Sequence, residues 1–418
     1  MSGVVTVGAL RAMASREMRQ VPVREDERPS CAPEQEALLA AARRHHQAGQ
    51  FASARGLYQR LLGADPQHLG ALYALGIVEI QTGRPAVAID LLRRVILRND
   101  GAADAHYHLA LALAAQHRLD EAAYHYRKAA TLRPGYAEAH MNLGNVLAAQ
   151  GQLTDAVTCY EQVLALDPHS ATAYYNLGNM LAALMRLAEA ETQLRAAISC
   201  RDDFAEAWNN LGNVLRSRAR NVDAEQAYRR AIALRPDHAE AHSNLGILCA
   251  ARGAMDEAIA QYRHAILLRP DLVEAHNNLG LALSRRGDAA AAMHCFRQAL
   301  ALKPDALDAL HHLARELFAR GEAAQAVTLL TNALDRGTAT AETRSLFVYC
   351  LRGLSDEVLA GVRAYVLRAL AEGWAHNGDL EQPGIRLVKR APAMAACILL
   401  ANAAYLSGTM ADLAQLLT

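Results

Sequence analysis

The sequence predicts an all-α protein, a solenoid of nine 34-residue helix-turn-helix repeats followed by a C-terminal helical segment. First, one pattern recurs every 34 residues from 35 to 340, without an insertion or a deletion. Second, position 20 of this unit is alanine in all nine repeats. Third, aromatic residues make up only 5% of the chain, which suits thin layers packed on small side chains better than one thick core.

Each repeat has the periodicity of two helices. Positions 4, 7, 8 and 11 are apolar or small, as are positions 20, 24 and 27, and this spacing places each set on one face of a helix. Small residues at 8 and 20 should let the two helices approach closely, with the bulky residue at 24 filling the remaining groove. Because one such hairpin cannot bury its apolar face alone, neighbouring repeats are expected to stack.

Glycine and proline mark the ends of these helices. Glycine at position 15 in six repeats predicts the end of the first helix, because glycine tolerates the left-handed conformation found there. Proline at position 32, also in six repeats, ends the second helix. Outside the array, residues 1–34 are polar and repeat-free, and we expect a disordered N-terminal segment. Residues 341–418 are expected to form a degenerate capping hairpin and a helical segment that ends as though the chain stopped inside a domain.

Charge and hydropathy exclude several classes of partner. Lys plus Arg and Asp plus Glu are 43 each, so the chain lacks the basic surplus that nucleic-acid binding needs. The longest apolar run, Ala393 to Ala401, is far shorter than the ~20 residues of a membrane-spanning helix. Seven scattered cysteines without a CxxC motif are typical of a reduced, cytoplasmic protein. We therefore expect neither nucleic acid nor membrane as a partner.

No catalytic constellation is recognised. The sequence lacks the phosphate-binding, nucleophile-elbow and zinc-protease motifs, so we predict a protein that is not an enzyme and has no cofactor, metal or small-molecule site. His106, His140, His242 and His276 all occupy position 4, where other repeats have Tyr or Trp. Adjacent repeats hold them a helix spacing apart, too far for one metal ion, so we interpret them as packing residues.

Polar residues recur on the first helices, away from the packed face. Positions 2, 6, 9 and 13 fall within roughly 60° of one another on a helix, and we call them the inner stripe. Position 6 is asparagine in five consecutive repeats, position 9 in three of these, and position 2 is mostly acidic. The predicted peptide-binding residues are Asn142, Asn145, Asn176, Asn179, Asn210, Asn213, Asn244, Asn278, Glu206, Glu240 and Glu274.

A ladder of asparagines has a chemical use. Each carboxamide has an acceptor and two donors, enough to bind both backbone groups of one residue in an extended ligand. The alternative is that asparagine at position 6 only bonds to a neighbouring repeat. Asparagine is a poor helix former, so five in register favour ligand contact.

With these residues in place, the chain resembles a tetratricopeptide repeat protein. That resemblance implies a right-handed superhelix whose first helices line a concave groove for peptides or proteins. The NLGN-type motifs at 142–145, 176–179 and 210–213 resemble the repeat arm of protein O-GlcNAc transferases, in which an asparagine ladder holds acceptor polypeptides. Chaperone-tail clamps of the family use lysine at positions 2 and 5, whereas position 2 is acidic here. This difference favours a ligand with some positive charge.

The sequence is compatible with two functions. The first is a non-catalytic scaffold that binds a protein or an extended peptide. The second is the substrate-recognition arm of a larger transferase whose catalytic domain is absent from this chain. That transferase would be similar to an O-GlcNAc transferase or a methyltransferase, because Arg368–Leu380 resembles the linker of bacterial repeat proteins that carry a methyltransferase domain.

Overall fold

The computed structural model describes residues 33–374 together with Pro383 and Arg386. Across these residues the chain forms helices and no strands. The helices are α1 (Pro33–Gln47), α2 (Phe51–Ala64), α3 (Leu69–Gln81), α4 (Pro85–Arg98), α5 (Ala103–Ala115), α6 (Leu119–Leu132), α7 (Ala137–Ala149), α8 (Leu153–Leu166), α9 (Ala171–Ala183), α10 (Leu187–Cys200), α11 (Ala205–Ser217), α12 (Asn221–Leu234), α13 (Ala239–Ala251), α14 (Met255–Leu268), α15 (Val273–Arg285), α16 (Ala289–Leu302), α17 (Leu307–Ala319), α18 (Ala323–Asp335), α19 (Ala341–Leu351), α20 (Asp356–Gly361) and α21 (Arg363–Glu372). None of them is long and apolar enough to cross a membrane.

Two compact units make up the chain, Met1–Ala224 and Glu225–Thr418. In the first unit, α1 to α11 pack in chain order, so that each helix contacts the one before and the one after it. In the second unit, α13 to α19 pack in the same way. The alanines at position 20 have no exposed surface in any repeat. The predicted all-α stack of helical hairpins is therefore confirmed. Residues 1–32 of the predicted N-terminal segment and most of residues 375–418 of the predicted C-terminal helical segment lie outside the described residues, and α1 already begins at Pro33.

The first helices end in a left-handed residue, as the glycine pattern predicted. Gly49, Gly83, Gly151, Gly253, Gly287 and Gly321 have φ between 72° and 91°. In the three remaining interior repeats the same position is occupied by His117, Met185 and Ala219, with φ of 57°, 60° and 60°. A residue with a Cβ atom is strained in this conformation. At these three positions the packing of the repeat imposes the turn, because the residue itself does not favour it.

We expect Ala219→Gly to stabilise the protein by about 0.5–1 kcal/mol. The relief of left-handed strain exceeds the extra entropy that glycine gives the unfolded chain. Ala219 is exposed, so the change removes no buried contact. A denaturant titration measures the effect, with Gly151→Ala as the matched control at the same position of another repeat. A Cβ atom on Gly151 would meet nothing within 4 Å, so that variant should lose stability through backbone strain alone. An Ala219→Gly midpoint at or below wild type would contradict this account.

The rings at position 4 hold the turn between repeats. In five repeats, one nitrogen of this ring donates a hydrogen bond to the backbone carbonyl oxygen six residues earlier, which belongs to position 32 of the preceding repeat. The distances are 3.0 Å for His106 to Asp100, 3.2 Å for His140 to Pro134, 3.3 Å for Trp208 to Asp202, 3.0 Å for His242 to Pro236 and 2.9 Å for His276 to Pro270. These histidines therefore have a structural hydrogen bond in addition to their packing.

One buried carboxylate joins two repeats of the first unit. Glu191, on α10, contacts Arg195 on its own helix and Arg218 and Arg220 beyond the end of α11. Burial alone would raise the pKa of Glu191, but the hydrogen bonds from Arg195 and Arg220 hold it below its ordinary value. The carboxylate is therefore charged at neutral pH and stabilises the contact between these repeats.

Candidate functional site

The candidate site is the inner stripe of the first helices. The three motifs with asparagine at both positions 6 and 9 lie on α7, α9 and α11, all in the first unit. Their asparagines are half-buried, except for Asn142, which is buried. The stripe is thus partly open to solvent, and its amides also pack against neighbouring repeats.

Asparagine at position 6 donates hydrogen bonds to the repeat before it. Asn142 Nδ2 lies 3.0 Å from the hydroxyl of Tyr107. Asn176 Nδ2 lies 3.2 Å from Asn145 Oδ1 and 3.6 Å from Met141 Sδ. The structure therefore brings the predicted residues Asn145 and Asn176 together, and connects each to its neighbouring repeat.

The next repeat has the same arrangement. Asn210 Nδ2 lies 2.8 Å from Asn179 Oδ1 and 3.1 Å from the hydroxyl of Tyr175. Its oxygen accepts a hydrogen bond of 3.2 Å from Asn209 Nδ2. Both hydrogens of the Asn210 amide are therefore engaged within the protein, as are those of Asn176.

Two of the three asparagines at position 9 are held by hydrogen bonds to their oxygens, and the third, Asn213, has an interaction partner. Asn145 Oδ1 accepts from Asn176 and also from the hydroxyl of Tyr160, at 2.8 Å. Asn179 Oδ1 accepts from Asn210. Over the described part of the chain, the NH₂ groups of Asn145 and Asn179 have no protein acceptor. These carboxamides are fixed in orientation and retain donors for another molecule.

The second unit has asparagine at position 6 on α13 and α15. Asn244 and Asn278 are half-buried there, and Asn244 has an interaction partner. Beside Asn278, the Oδ1 atom of Asn277 is buried and has no hydrogen-bond partner among the described residues. Asn277 is at position 5, outside the inner stripe, and its buried oxygen is not accessible to a ligand.

The acidic residue at position 2 is paired in several repeats. Glu240 contacts Arg269 at 2.5 Å and the buried His238 at 3.2 Å. Hydrogen bonds from His238 and Arg269 lower the pKa of Glu240 to about 2, despite its partial burial. The carboxylate is ionised at neutral pH, but much of its charge is balanced by the arginine.

The same pairing occurs in the first unit. Arg133, at position 31, forms two hydrogen bonds with Asp104 at position 2 of the same repeat, at 2.9 and 2.7 Å. Glu206 also has an interaction partner, whereas Glu274 is exposed. The acidic stripe that the sequence predicted therefore presents less net charge than its composition indicates.

Two sets of functional neighbours were missed from the sequence. The first set is at position 5, where the side chains accept a hydrogen bond from the position 6 asparagine of the following repeat; these residues are Tyr107, Met141 and Tyr175. Arginine at position 31 pairs with the acid at position 2. A partial co-occurrence was present in the sequence, because arginine occupies position 31 in the third, fifth, sixth and seventh repeats, and all of these except the fifth, which has Thr172, have an acid at position 2.

Models of one repeat family match much of the array. A model described as TPR repeat matches residues 144–184 and 248–287. Three models described as tetratricopeptide repeat match residues 39–101 and 76–137, residues 205–238, and residues 273–306. Together the matches cover more than half of the chain. Two of them, 205–238 and 273–306, coincide with the sixth and eighth 34-residue units.

Solved structures of several repeat proteins resemble the chain, whereas no curated protein matches it. YrrB, described as a TPR protein with an unusual peptide-binding site, is 27% identical with a TM-score of 0.36, over 44% of this chain and 96% of YrrB. The Cut9–Hcn1 structure of the APC/C is 19% identical with a TM-score of 0.49, over 68% of this chain and 56% of the other. PilF of Pseudomonas aeruginosa is 21% identical with a TM-score of 0.45, over 52% and 98%.

Proposed function

Because the chain belongs to the tetratricopeptide repeat family, we propose that it is a non-catalytic scaffold that binds extended segments of protein partners along the inner stripe. The observation that carries the proposal is the pairing of asparagines between repeats. Asn145 with Asn176, and Asn179 with Asn210, form two similar pairs one repeat apart. A regular series of polar pairs suits a ligand whose own groups repeat regularly, which is the backbone of an extended peptide.

The Asn145–Asn176 pair has complementary groups for such a backbone, whereas in the next pair the oxygen of Asn210 already accepts from Asn209. The position 9 amide retains its NH₂ donors for a ligand carbonyl, and Asn176 retains its oxygen for a ligand N–H. The hydrogen bond inside the pair already fixes both side chains, so less rotamer freedom is lost when a ligand binds. If adjacent first helices are 8–10 Å apart, one pair serves about three residues of a strand rising ~3.3 Å per residue.

Backbone recognition of this kind gives broad selectivity. The exposed acids Glu138 and Glu274 favour ligands with some positive charge, as expected from the sequence. The paired acids Asp104 and Glu240 contribute less, because their arginines balance them. Charge at such exposed positions acts mainly on encounter rate and partner selection.

The proposal is tested by replacing the stripe asparagines. The immobilised full chain selects from a pool of random 12-residue peptides, and the retained peptides are titrated by fluorescence anisotropy. The double change Asn145→Ala, Asn179→Ala removes two donor groups. Because each lost hydrogen-bonding site costs on the order of 1 kcal/mol of binding free energy, we expect at least tenfold weaker binding. The triple change of Asn176, Asn210 and Asn244 to Ala should weaken binding to a similar or greater extent.

A control separates ligand contact from repeat packing. Tyr175→Phe removes one acceptor of Asn210 but leaves every asparagine in place. It should lower the unfolding midpoint slightly, while peptide affinity stays within about twofold of wild type. If the asparagine variants lower the midpoint but bind peptide as tightly as wild type, the amides only join repeats and the proposal fails.

The second candidate is the recognition arm of a transferase. The three NLGN-type motifs favour it, because they resemble the acceptor-binding arm of O-GlcNAc transferases. It requires the same groove and adds a catalytic domain outside these residues. The gene sequence downstream of codon 418 tests it directly, and an in-frame transferase domain there would replace the scaffold function.

A further inference from the structure

A cavity of about 990 Å³ lies at the C-terminal end of the described part of the second unit. It is bounded by α17, α19 and the residues Gly373 and Trp374. Its principal lining residues are Arg315, Phe318, Glu342, Tyr349, Arg352 and Trp374. A cavity of this size is large enough for one bulky side chain together with the backbone that carries it.

Part of the cavity is lined by inner-stripe positions, but the side chains at these positions differ in chemical type from the asparagines of the first unit. Counted from Ala341 as the start of a tenth unit, Tyr349 is at position 9 and Leu346 at position 6. Arg315 is at position 9 of the ninth repeat. The fourth to sixth repeats have asparagine at both positions, but here they are aromatic, aliphatic and basic. This part of the stripe therefore suits contact with a side chain of a ligand better than hydrogen bonds to the ligand's backbone amides.

Three aromatic rings form the apolar part of the cavity. Phe318 and Tyr349 are 4.7 Å apart between ring centroids, and Tyr349 is 48% exposed, which is unusual for a large ring. Trp374 is fixed by a 2.7 Å hydrogen bond from its indole nitrogen to Glu372 and is only 6% exposed, so the accessible ring surface belongs mainly to Tyr349. Rings that are already held in place can receive an aromatic or aliphatic group without ordering first.

The charged groups around the rings are mostly basic. Arg352 lies 5.7 Å from the Tyr349 ring centroid, and Arg344 and Arg368 each lie 5.5 Å from that of Trp374. Arg352 lines the cavity together with Arg315, whereas Arg344 and Arg368 contact the ring of Trp374 and are not lining residues. The two nearby glutamates are Glu342, which pairs with Arg315 at 2.7 Å, and Glu372, which pairs with Arg368 at 2.8 Å. These six groups carry a net positive charge, which complements an acidic ligand.

We propose that this cavity is a second binding site, which holds an acidic peptide segment by one aromatic or aliphatic anchor side chain. The inference rests on the proposed function only for the class of partner, a polypeptide. It uses none of the stripe asparagines, so each site can fail without the other. A partner that fills both sites would combine an extended segment with an acidic, anchored one.

The probe is a fluorescein-labelled seven-residue peptide with one phenylalanine between glutamates. Two matched peptides replace the glutamates with glutamine or with lysine. Titration against the full chain by anisotropy should show the acidic peptide binding at least tenfold more tightly than the glutamine peptide, and both more tightly than the lysine peptide. Tyr349→Ser and Arg352→Gln should each weaken the acidic peptide at least fivefold. Asn145→Ala with Asn179→Ala should leave it unchanged.

Arg201→Gln is the matched control variant, because Arg201 also stacks on an aromatic ring, that of Phe204, outside the cavity. It should bind like wild type. Equal binding of the three peptides, no saturable binding at about 1 mM, or wild-type affinity of Tyr349→Ser would overturn the proposal. So would binding to a chain that ends at Trp374 but not to the full chain, since residues 375–418 would then occupy the cavity themselves.

Discussion

A chain that ends at Thr340 is expected to expose the apolar end of the array and to lose several kcal/mol of stability. Without the residues from Ala341 onward, α17 and α18 lose the helix that packs on both of them, α19. In α19, Phe347 and Leu351 have no exposed surface, and each fully buried side chain of this kind contributes about 2 kcal/mol. Residues 341–373 would thus act as the C-terminal cap.

The measurement compares chains ending at Thr340 and at Trp374 with the full chain. Binding of a hydrophobic dye and the unfolding midpoint are recorded for all three at equal concentration. The shorter chain should bind more dye, aggregate more readily and begin to unfold at lower denaturant, because Leu313 and Leu330 become accessible. Equal dye binding and equal midpoints for the two truncated chains would remove the capping role.

Gly144→Val is expected to destabilise the first unit by about 3 kcal/mol. A Cβ atom on Gly144 would lie only 2.7 Å from the ring of Tyr160, which is 2% exposed and donates its hydroxyl to Asn145. The ring cannot move away without breaking that hydrogen bond. The expected loss combines about 2 kcal/mol for overpacking with about 1 kcal/mol for the hydrogen bond.

The matched control is Gly56→Val, another helical glycine of the same unit, where a Cβ atom would meet nothing within 4 Å. Its stability should remain within about 0.5 kcal/mol of wild type. Tyr160→Ala is itself destabilising, but the double variant Gly144→Val, Tyr160→Ala should lose less stability than the sum of the two single losses, because the smaller side chain removes the clash. If Gly144→Val and Gly56→Val have the same midpoint in a denaturant titration, the ring of Tyr160 does not restrict position 8.

The Gly144 contact also shows where interpretation of the sequence was incomplete. The pattern predicted a small residue at position 8 because the two helices approach closely at the alanine of position 20. In the structure, the ring at position 24 lies directly over position 8, and the contact restricts that position. The sequence identified positions 8, 20 and 24 as the contacting positions. Which of them contact each other depends on how each helix of the hairpin is rotated about its own axis.

The candidate site shows a larger difference. The sequence predicted the stripe and its asparagines, and left open whether they contact a ligand or a neighbouring repeat. The structure shows hydrogen bonds from Asn142, Asn176 and Asn210 to the preceding repeat. Ligand contact remains a proposal, and it now depends on the amide groups that these bonds leave available.

The sequence by itself determined the repeat, the helix class and the turns, because each depends on neighbours three, four or a few residues away along the chain. Gly151 ends a helix and Pro134 precedes the next one through local backbone preferences that act in any fold. The tertiary structure alone decided that Ala219 adopts a left-handed conformation, that Asn176 donates to Asn145, and that rings and arginines surround one cavity. These features depend on the distance and rotation between helices of different repeats, which are set by the packing of many side chains at once.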